Sequence, residues 1–427
     1  MNFSDSEIVT SILTAHGYEK TGEINSADII FLNTCSIRDN AEQRVRKRLQ
    51  NIRALKKKNP GLIIGLLGCM ADRTRTALME DEQLLDVIAG PDSYRHLPQL
   101  LREAGTGLKA INTILSADET YADINPVRLD PNGISGFISI MRGCENYCAY
   151  CVVPSTRGVE RSRDVFSIIR ETADLFRKGY REVTLLGQNV NSYHWTDHGN
   201  PIHFPELLER VASVSPLVRI RFATSHPKDI SDQLLQTISG HLNICKTIHL
   251  PVQSGSNAML ELMNRKYTRE QYMERVESIR RIIPDCAIST DIITGFCNET
   301  ETDHLETLSL MEWAGFTHAF MFKYSERPQT LAAKTLKDNV PSEVKERRLK
   351  EVISLQQRLS CQSNGRDVGK TFEVLIEGES KRSKEHLFGR TSQNKVVVFP
   401  KATTVPGNYV NVKISRFTSA TLVGDIV

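Results

Sequence analysis

The feature that most limits what this chain can fold into is an alternation of short, wholly apolar runs with longer amphipathic stretches. Asp28-Ile-Ile-Phe-Leu-Asn33, Leu62-Ile-Ile-Gly-Leu-Leu67 and the short Asp86-Val-Ile-Ala-Gly90 read as strands buried on both faces. Between the first two, Ala41, Val45, Leu49, Ile52 and Leu55 recur at helical spacing. Strands without polar alternation, separated by helices, make a parallel α/β sheet. The chain opens on Ser4-Asp-Ser-Glu7, the pattern of a capping box with Ser4 as N-cap. A stripe of Ile8, Val9, Ile12 and Leu13 follows, with a stop at His16-Gly17. Because such a sheet normally begins with a strand, the expectation is that a strand precedes Met1.

The stretch from about Leu115 to Ser135, rich in Asp, Asn, Pro and Gly, reads as a linker. Beyond it the alternation resumes. Candidate strands are Phe137–Met141, Val183–Gly187, Val218–Ala223, Thr247–Leu250, Ile288–Thr294 and Ala319–Lys323, with helices such as Val165–Lys178 and Arg269–Ile282 between them. Six such units predict an open, partial (β/α)6 barrel, a fold that carries its chemistry at the strand C-terminal ends. A helix with Val344, Leu349, Val352, Leu355 and Leu359 on its apolar side then leads to runs of period two. These are Phe372/Val374/Ile376, Val396/Val398 and Val410/Val412/Ile414, which predict a small antiparallel β domain, sheet or barrel. The three segments are placed at 1–115, 130–360 and 364–427.

Composition narrows the class. With 427 residues, 40% hydrophobic and 25% charged, the chain is no disordered, collagenous or coiled-coil protein. No apolar run approaches 18 residues, and Met1-Asn-Phe-Ser-Asp5 has neither the basic nor the apolar part of a signal peptide, so no membrane association and a cytoplasmic location are expected. Nine Cys in that compartment are ligands, catalysts or core residues before they are disulfides. The net charge of +3 is unevenly spread. From Val344 onward 15 Lys+Arg face 8 Asp+Glu, and between Arg38 and Lys58 nine basic residues face two acidic ones. Two basic segments suit a polyanion, and equally suit two solvated faces.

The sharpest chemical signal is Gly143-Cys144-Glu-Asn-Tyr-Cys148-Ala-Tyr-Cys151, just after the first barrel strand. Three thiolates spaced Cys-x3-Cys-x2-Cys can ligate three irons of a cuboidal [4Fe–4S] cluster and leave the fourth open to S-adenosylmethionine. Reduction of the sulfonium there splits its S–C5′ bond into a 5′-deoxyadenosyl radical. Structural zinc is the competing reading, but zinc takes four protein ligands and no fourth Cys or His lies nearby in sequence. Cys35 and Cys69 each end an apolar strand of the first domain, where parallel strands place their C-termini on one edge. On spacing alone they are ligands or buried free thiols. Cys245, Cys286, Cys297 and Cys361 show no ligand spacing, and His16 and His304 read as surface or core fillers. Gln188, Asn189, Thr224, Ser225, Gln253, Ser254 and Asp291 follow or end barrel strands and are candidates to hold S-adenosylmethionine, or to serve as turn residues.

Together with Asn33-Thr-Cys-Ser-Ile-Arg-Asp-Asn-Ala-Glu42, Leu67-Gly-Cys-Met-Ala71, Leu185-Leu-Gly-Gln-Asn-Val-Asn-Ser-Tyr193, Thr224-Ser-His-Pro227 and Phe322-Lys-Tyr-Ser-Glu-Arg-Pro328, the chain resembles the radical S-adenosylmethionine methylthiotransferases over essentially its whole length. It looks most like the branch that modifies isopentenylated adenosine in tRNA. Ser36-Ile37-Arg38-Asp39 stands where the branch acting on a ribosomal-protein aspartate usually carries a Gly-Phe-Ile-type stretch. The resemblance implies an N-terminal methylthiotransferase domain, a radical core and a C-terminal TRAM domain of OB-like form. It implies that Cys144, Cys148 and Cys151 hold the radical-generating cluster, and that Cys35 and Cys69 are two of three ligands to an auxiliary [4Fe–4S] cluster. The remaining ligand is expected upstream of Met1. Cys297-Asn298 and Gln329 depart from the family pattern, which usually has Pro-Gly and Gly there.

The resemblance further implies two molecules of S-adenosylmethionine per turnover, one giving a methyl group to sulfur at the auxiliary cluster and one giving the radical that opens C2 of the adenine. Electrons would come from flavodoxin or ferredoxin. The anticodon stem-loop of tRNA would be the substrate, since loops offer unstacked bases. Lys56, Lys57 and Lys58 are expected on phosphate, Arg327 at the mouth of the site, and the chain as a monomer. Competing readings keep the chemistry but act on threonylcarbamoyl-adenosine or a ribosomal-protein aspartate, or drop catalysis for a zinc-dependent RNA-binding protein.

Overall fold

A computed structural model describes residues 1–34, 39–71, 84–130 and 132–427, residues 39–42 by their backbone alone. These fall into two compact units. The first comprises Met1–Leu129, Met141–Tyr147 and Cys151–Arg163, and the second Asp130–Ile140, Cys148–Tyr150 and Asp164–Val427. No helix among the described residues is long and apolar enough to cross a membrane.

In the first unit, the strands Ile29–Thr34, Ile63–Gly68, Val87–Ala89 and Ala110–Asn112 form a parallel sheet in that order. Its apolar runs are explained by burial on both faces. Leu67, Val87 and Ala89 pack against Ile8, Val9 and Ile12 of helix Asn2–Ala15 and against Leu97, Leu100 and Leu101 of helix Leu97–Gly105. Ile64, Leu66 and Ile88 turn the other way, onto Leu49 and Ile52 of helix Asp39–Lys58. Each such side chain contributes about 1.5–3 kcal/mol by leaving water. The three-residue strand Ala110–Asn112 is too short to show a period in sequence.

Two expectations need correction here. Helix Asn2–Ala15 starts before Ser4 and has no side-chain cap. Ser4 and Glu7 lie inside it and are buried, and the Glu7 carboxylate accepts from Arg128 Nη1 and Leu129 N, both at 3.0 Å. A carboxylate with a distant partner has no need to close a cap. The stretch after Leu115 lacks helix and strand up to Ser135 among its described residues, but its part within this unit is no free linker. Tyr121 is 2% exposed, donates to the Pro91 carbonyl at 3.0 Å and lies under the Arg142 guanidinium.

In the second unit, Ser135–Ser139, Glu182–Leu186 and Arg219–Phe222 form one parallel sheet, and Thr247–His249, Ala287–Thr294 and His318–Lys323 another. A parallel bridge from Ile220 to Ile244 joins them, so the six strands follow chain order as an open (β/α) barrel. Helices including Val165–Arg177, Phe204–Ala212, Arg269–Ile282 and Glu301–Ala314 separate them. The last two start on capping boxes, Thr268 with Gln271 and Thr300 with Asp303. A hairpin of His194–Asp197 and Asn200–His203 was not foreseen.

After helix Ser342–Gly365 the chain forms a closed barrel of five strands, ordered Thr371–Ser380, Ser383–Thr391, Val396–Pro400, Leu422–Ile426, Tyr409–Phe417. The register of the third strand differs from expectation by one residue. Val397 and Phe399 are fully buried and Val396 and Val398 only partly, because four apolar residues in a row leave the facing side undetermined. Gly389 sits where two barrel strands approach closely, since a Cβ there would lie 2.1 Å from the Leu375 carbonyl oxygen. This small barrel caps the start of the (β/α) strands. Arg221 Nη2 donates to the Thr391 carbonyl at 2.7 Å while its Nε holds Glu182 Oε2 at 2.7 Å. Arg219 Nη1 reaches the Arg390 carbonyl at 2.7 Å, and Tyr409 Oη the Arg181 carbonyl at 3.0 Å.

Candidate active site

The cysteine loop is closed at its base by a short antiparallel pair, Met141–Arg142 with Arg161–Ser162. Gly143 enters the loop at φ 78°, and a Cβ there would stand 1.8 Å from the Val159 carbonyl oxygen, so only glycine fits before Cys144. The Cys144 amide donates to the Gly158 carbonyl at 3.2 Å. Cys144, Cys148 and Cys151 are all partly exposed. Cys144 Sγ accepts from Asn146 Nδ2 and Cys151 Sγ from the Val153 amide, each at 3.5 Å. Cys148 Sγ accepts from Arg265 Nη1 at 3.2 Å. Arg265 was not singled out in sequence. Nothing in the sequence around it marks it out; in the structure its neighbours Asn264 and Lys266 both hold positive φ.

In the first unit, Cys69 is buried at the end of strand Ile63–Gly68 and takes a hydrogen bond from Arg157 Nε at 3.3 Å. Arg157 Nη2 is paired with Asp5 Oδ2 at 2.7 Å, and Arg142 also holds Asp5. Arg161 Nη2 grips Asp92 at 2.9 Å. Burial pushes the Asp5 carboxyl upward, but Arg157 and Arg142 outweigh it and hold it at about 2. Cys35 lies outside the described residues. The strands that precede Cys35 and Cys69 are in register, with Thr34 opposite Gly68.

The candidates for S-adenosylmethionine divide into two groups. Gln188 Oε1 and Ser225 Oγ are buried without a partner, as are both amide atoms of Asn191 and Nε2 of His226. All follow the C-terminal ends of the adjacent strands Glu182–Leu186 and Arg219–Phe222. Orphaned polar atoms cost about 1–3 kcal/mol each, and their grouping at the end of a barrel that carries chemistry fits a polar small molecule seated there. Burial, seconded by Arg265, drives the His226 imidazole down to about 2, so it is neutral. Thr224 and Gln253 hold positive φ of 65° and 75°. Asn189 and Ser254 are instead occupied. Asn189 Nδ2 donates to Asp229 at 2.7 Å while its Oδ1 accepts the His226 amide at 3.1 Å, and Ser254 Oγ meets Thr307 Oγ1 at 3.2 Å. Asp291 lies 3.5 Å from His249 Nε2. Thr224 and His249 also line a cavity of about 960 Å³, with Thr184, Arg221 and Ser289 of the (β/α) strands and Arg390 and Asn394 of the small β barrel.

The expected phosphate contacts are also divided. Lys56 is drawn inward to Asp86 and the Leu62 carbonyl, because the Asp86 carboxylate beside the Ile64 amide needs a cation. Lys57 and Lys58 are exposed. Arg327 is buried, at 7% exposure.

A Cys-x3-Cys-x2-Cys loop in a chain that also forms a six-stranded parallel barrel, with unfilled polar groups at two of its strand ends, is the feature set of a radical S-adenosylmethionine enzyme. The comparisons agree: the chain matches the Radical SAM superfamily over residues 138–311, the uncharacterized protein family UPF0004 over 1–90 and the TRAM domain over 365–427. It is 56% identical to the tRNA-2-methylthio-N(6)-dimethylallyladenosine synthase of Amoebophilus asiaticus, covering all of this chain and 90% of that protein. It is 58% identical to the protein of the same name from Parabacteroides distasonis, covering all of this chain and 93% of the relative. In fold it is similar to the radical S-adenosylmethionine methyltransferase TsrM from Kitasatospora setae, at TM-score 0.58 and 14% identity over 77% of this chain and 72% of that one. The chain therefore belongs to the radical S-adenosylmethionine methylthiotransferase family. With that superfamily come one [4Fe–4S] cluster and S-adenosylmethionine.

Proposed function

We propose that this chain is a tRNA methylthiotransferase that places a methylthio group on C2 of N6-isopentenyladenosine beside the anticodon. The observation that carries this is identity of more than half over the full chain to enzymes of that name. In our reading Cys144, Cys148 and Cys151 hold the radical-generating cluster, and Cys69 with Cys35 contributes to the auxiliary one. When bound, the first cluster would supply the electron for reductive cleavage of S-adenosylmethionine, the radical chemistry needed at an unactivated aromatic carbon that no acid or base side chain could open. The chain's own groups do the placing. Gly143 lets the loop turn into Cys144, and the free polar atoms of Gln188, Asn191 and Ser225 are available to orient the nucleoside and amino-acid parts of S-adenosylmethionine. Arg157 supports Cys69 from the first unit's buried ion cluster. Flavodoxin or ferredoxin would supply electrons, and a cytoplasmic monomer with functional segments at 1–115, 130–360 and 364–427 would meet the anticodon stem-loop.

The test is nucleoside mass spectrometry on tRNA from a strain lacking the gene. Loss of the methylthio-isopentenyl nucleoside, with its unmethylthiolated precursor accumulating and the native gene restoring it, is expected. An unchanged nucleoside pool would defeat the proposal.

A further inference from the structure

We propose that Arg265 is a positioning residue for the radical-generating cluster: its buried guanidinium fixes the Cys148 sulfur and makes the cluster easier to reduce. The inference rests on the reading of Cys144, Cys148 and Cys151 as cluster ligands. Its grounds are geometric. Arg265 is 4% exposed, and each of its three nitrogens is engaged. Nε donates to Tyr267 Oη at 3.0 Å, Nη2 to the Pro251 carbonyl at 2.7 Å, and Nη1 to Cys148 Sγ at 3.2 Å and Tyr150 Oη at 3.4 Å. Tyr267 is itself anchored on the Val252 carbonyl at 2.9 Å, and the guanidinium lies 5.2 Å from the centre of the Tyr267 ring. The two segments are tied by their backbones as well, Ala149 N donating to the Met263 carbonyl at 2.9 Å. A long side chain held at this many points presents its N–H to sulfur by construction.

The consequence follows from charge. Reduction adds one negative charge to a cluster, and part of it resides on the ligand sulfurs. A donor to such a sulfur stabilises the reduced state, and hydrogen bonding to the sulfurs is one of the levers that sets cluster potentials. Asn146 and Val153 offer neutral donors to Cys144 and Cys151, whereas Arg265 brings a full positive charge into a buried site, where it is poorly screened. Arginine stays charged there, since it is not deprotonated in proteins.

The experiment is an EPR-monitored redox titration of the reconstituted chain. Native protein, Arg265→Met, Arg265→Gln and Arg265→Lys are compared in a Cys69→Ala background, so that one cluster dominates the signal. Arg265→Met and Arg265→Gln are expected to make reduction at least tenfold less favourable, a fall of 59 mV for a one-electron couple. Arg265→Lys, which keeps the charge, is expected to recover part of that. Iron per chain should match the native value. A midpoint unmoved in Arg265→Met with iron retained overturns the proposal. If that variant does not hold iron, an unmoved midpoint in Arg265→Gln overturns it, and a lowered one upholds it. A native chain that forms no reducible cluster would instead refute the cluster reading beneath it, a result distinct from an unmoved midpoint.

Discussion

At the scale of single residues, the most exacting feature of the first unit is one carboxylate between two guanidiniums. Asp5 is fully buried and paired with Arg142 and Arg157, and Arg157 passes a hydrogen bond on to Cys69. With its carboxyl held at about 2 against an ordinary 3.8, Asp5 contributes stability in full above pH 4. That contribution, about 2 kcal/mol, is lost as pH falls from about 4 through 2. Hydrogen exchange of the amides of helix Asn2–Ala15 should therefore quicken across that window. Asp5→Asn should abolish that dependence and cost about 3 kcal/mol at neutral pH, because two buried cations are left without a counter-charge. At the cysteine loop, Cys148→Ala should abolish formation of 5′-deoxyadenosine under reducing conditions, measured by chromatography of the quenched reaction. Persistent cleavage of S-adenosylmethionine in that variant would end the radical assignment.

At the scale of elements, local backbone chemistry decides where the thiols go. A Cβ at Gly143 would meet the Val159 carbonyl at 1.8 Å, on a residue already at positive φ. Gly143→Ala should therefore displace the loop, cost a few kcal/mol by strain, and leave the variant short of iron after reconstitution, by iron and sulfide counts against native protein. Full loading would show that the loop tolerates the shift. The same scale explains what could be read in advance. The central strands of the first unit's sheet, Ile63–Gly68 and Val87–Ala89, were legible because burial on both faces removes polar residues from them, and the cysteine spacing survives any folding. The partners of that spacing were not legible. Arg265 comes to Cys148 from 117 positions away, and Arg157 to Cys69 from 88. No local period encodes such pairs. Asn189 and Ser254 read as ligand candidates because amides and hydroxyls at strand ends serve loops and ligands alike, and their bonds to Asp229 and Thr307, 40 and 53 positions away, are not legible in the sequence.

At the scale of the whole molecule, the two basic segments ask which charges are free to meet RNA. In the C-terminal segment, Lys345 is paired with Asp338, Arg348 with Glu299 and Lys395 with Asp367, so that net charge overstates what can face a polyanion. The helix Asp39–Lys58 makes the same point within three consecutive residues: Lys56 is bound to Asp86, while Lys57 and Lys58 face solvent. Phosphate contacts release counterions, so each one lost lowers the slope of log affinity against log salt by about 0.7–0.9. Changing Lys57 and Lys58 together to Ala should thus weaken binding of an anticodon stem-loop and flatten its salt dependence by about 1–2, with the first unit as stable as before. Changing Lys56 to Ala should do the reverse. It leaves the slope where it was and destabilises the first unit by about 1 kcal/mol, the worth of a partly exposed ion pair at its upper end. Fluorescence anisotropy over a salt series, with hydrogen exchange for stability, separates the two. A flattened slope in Lys56→Ala, or an unchanged one in the double variant, would move the RNA-facing charge elsewhere in the chain.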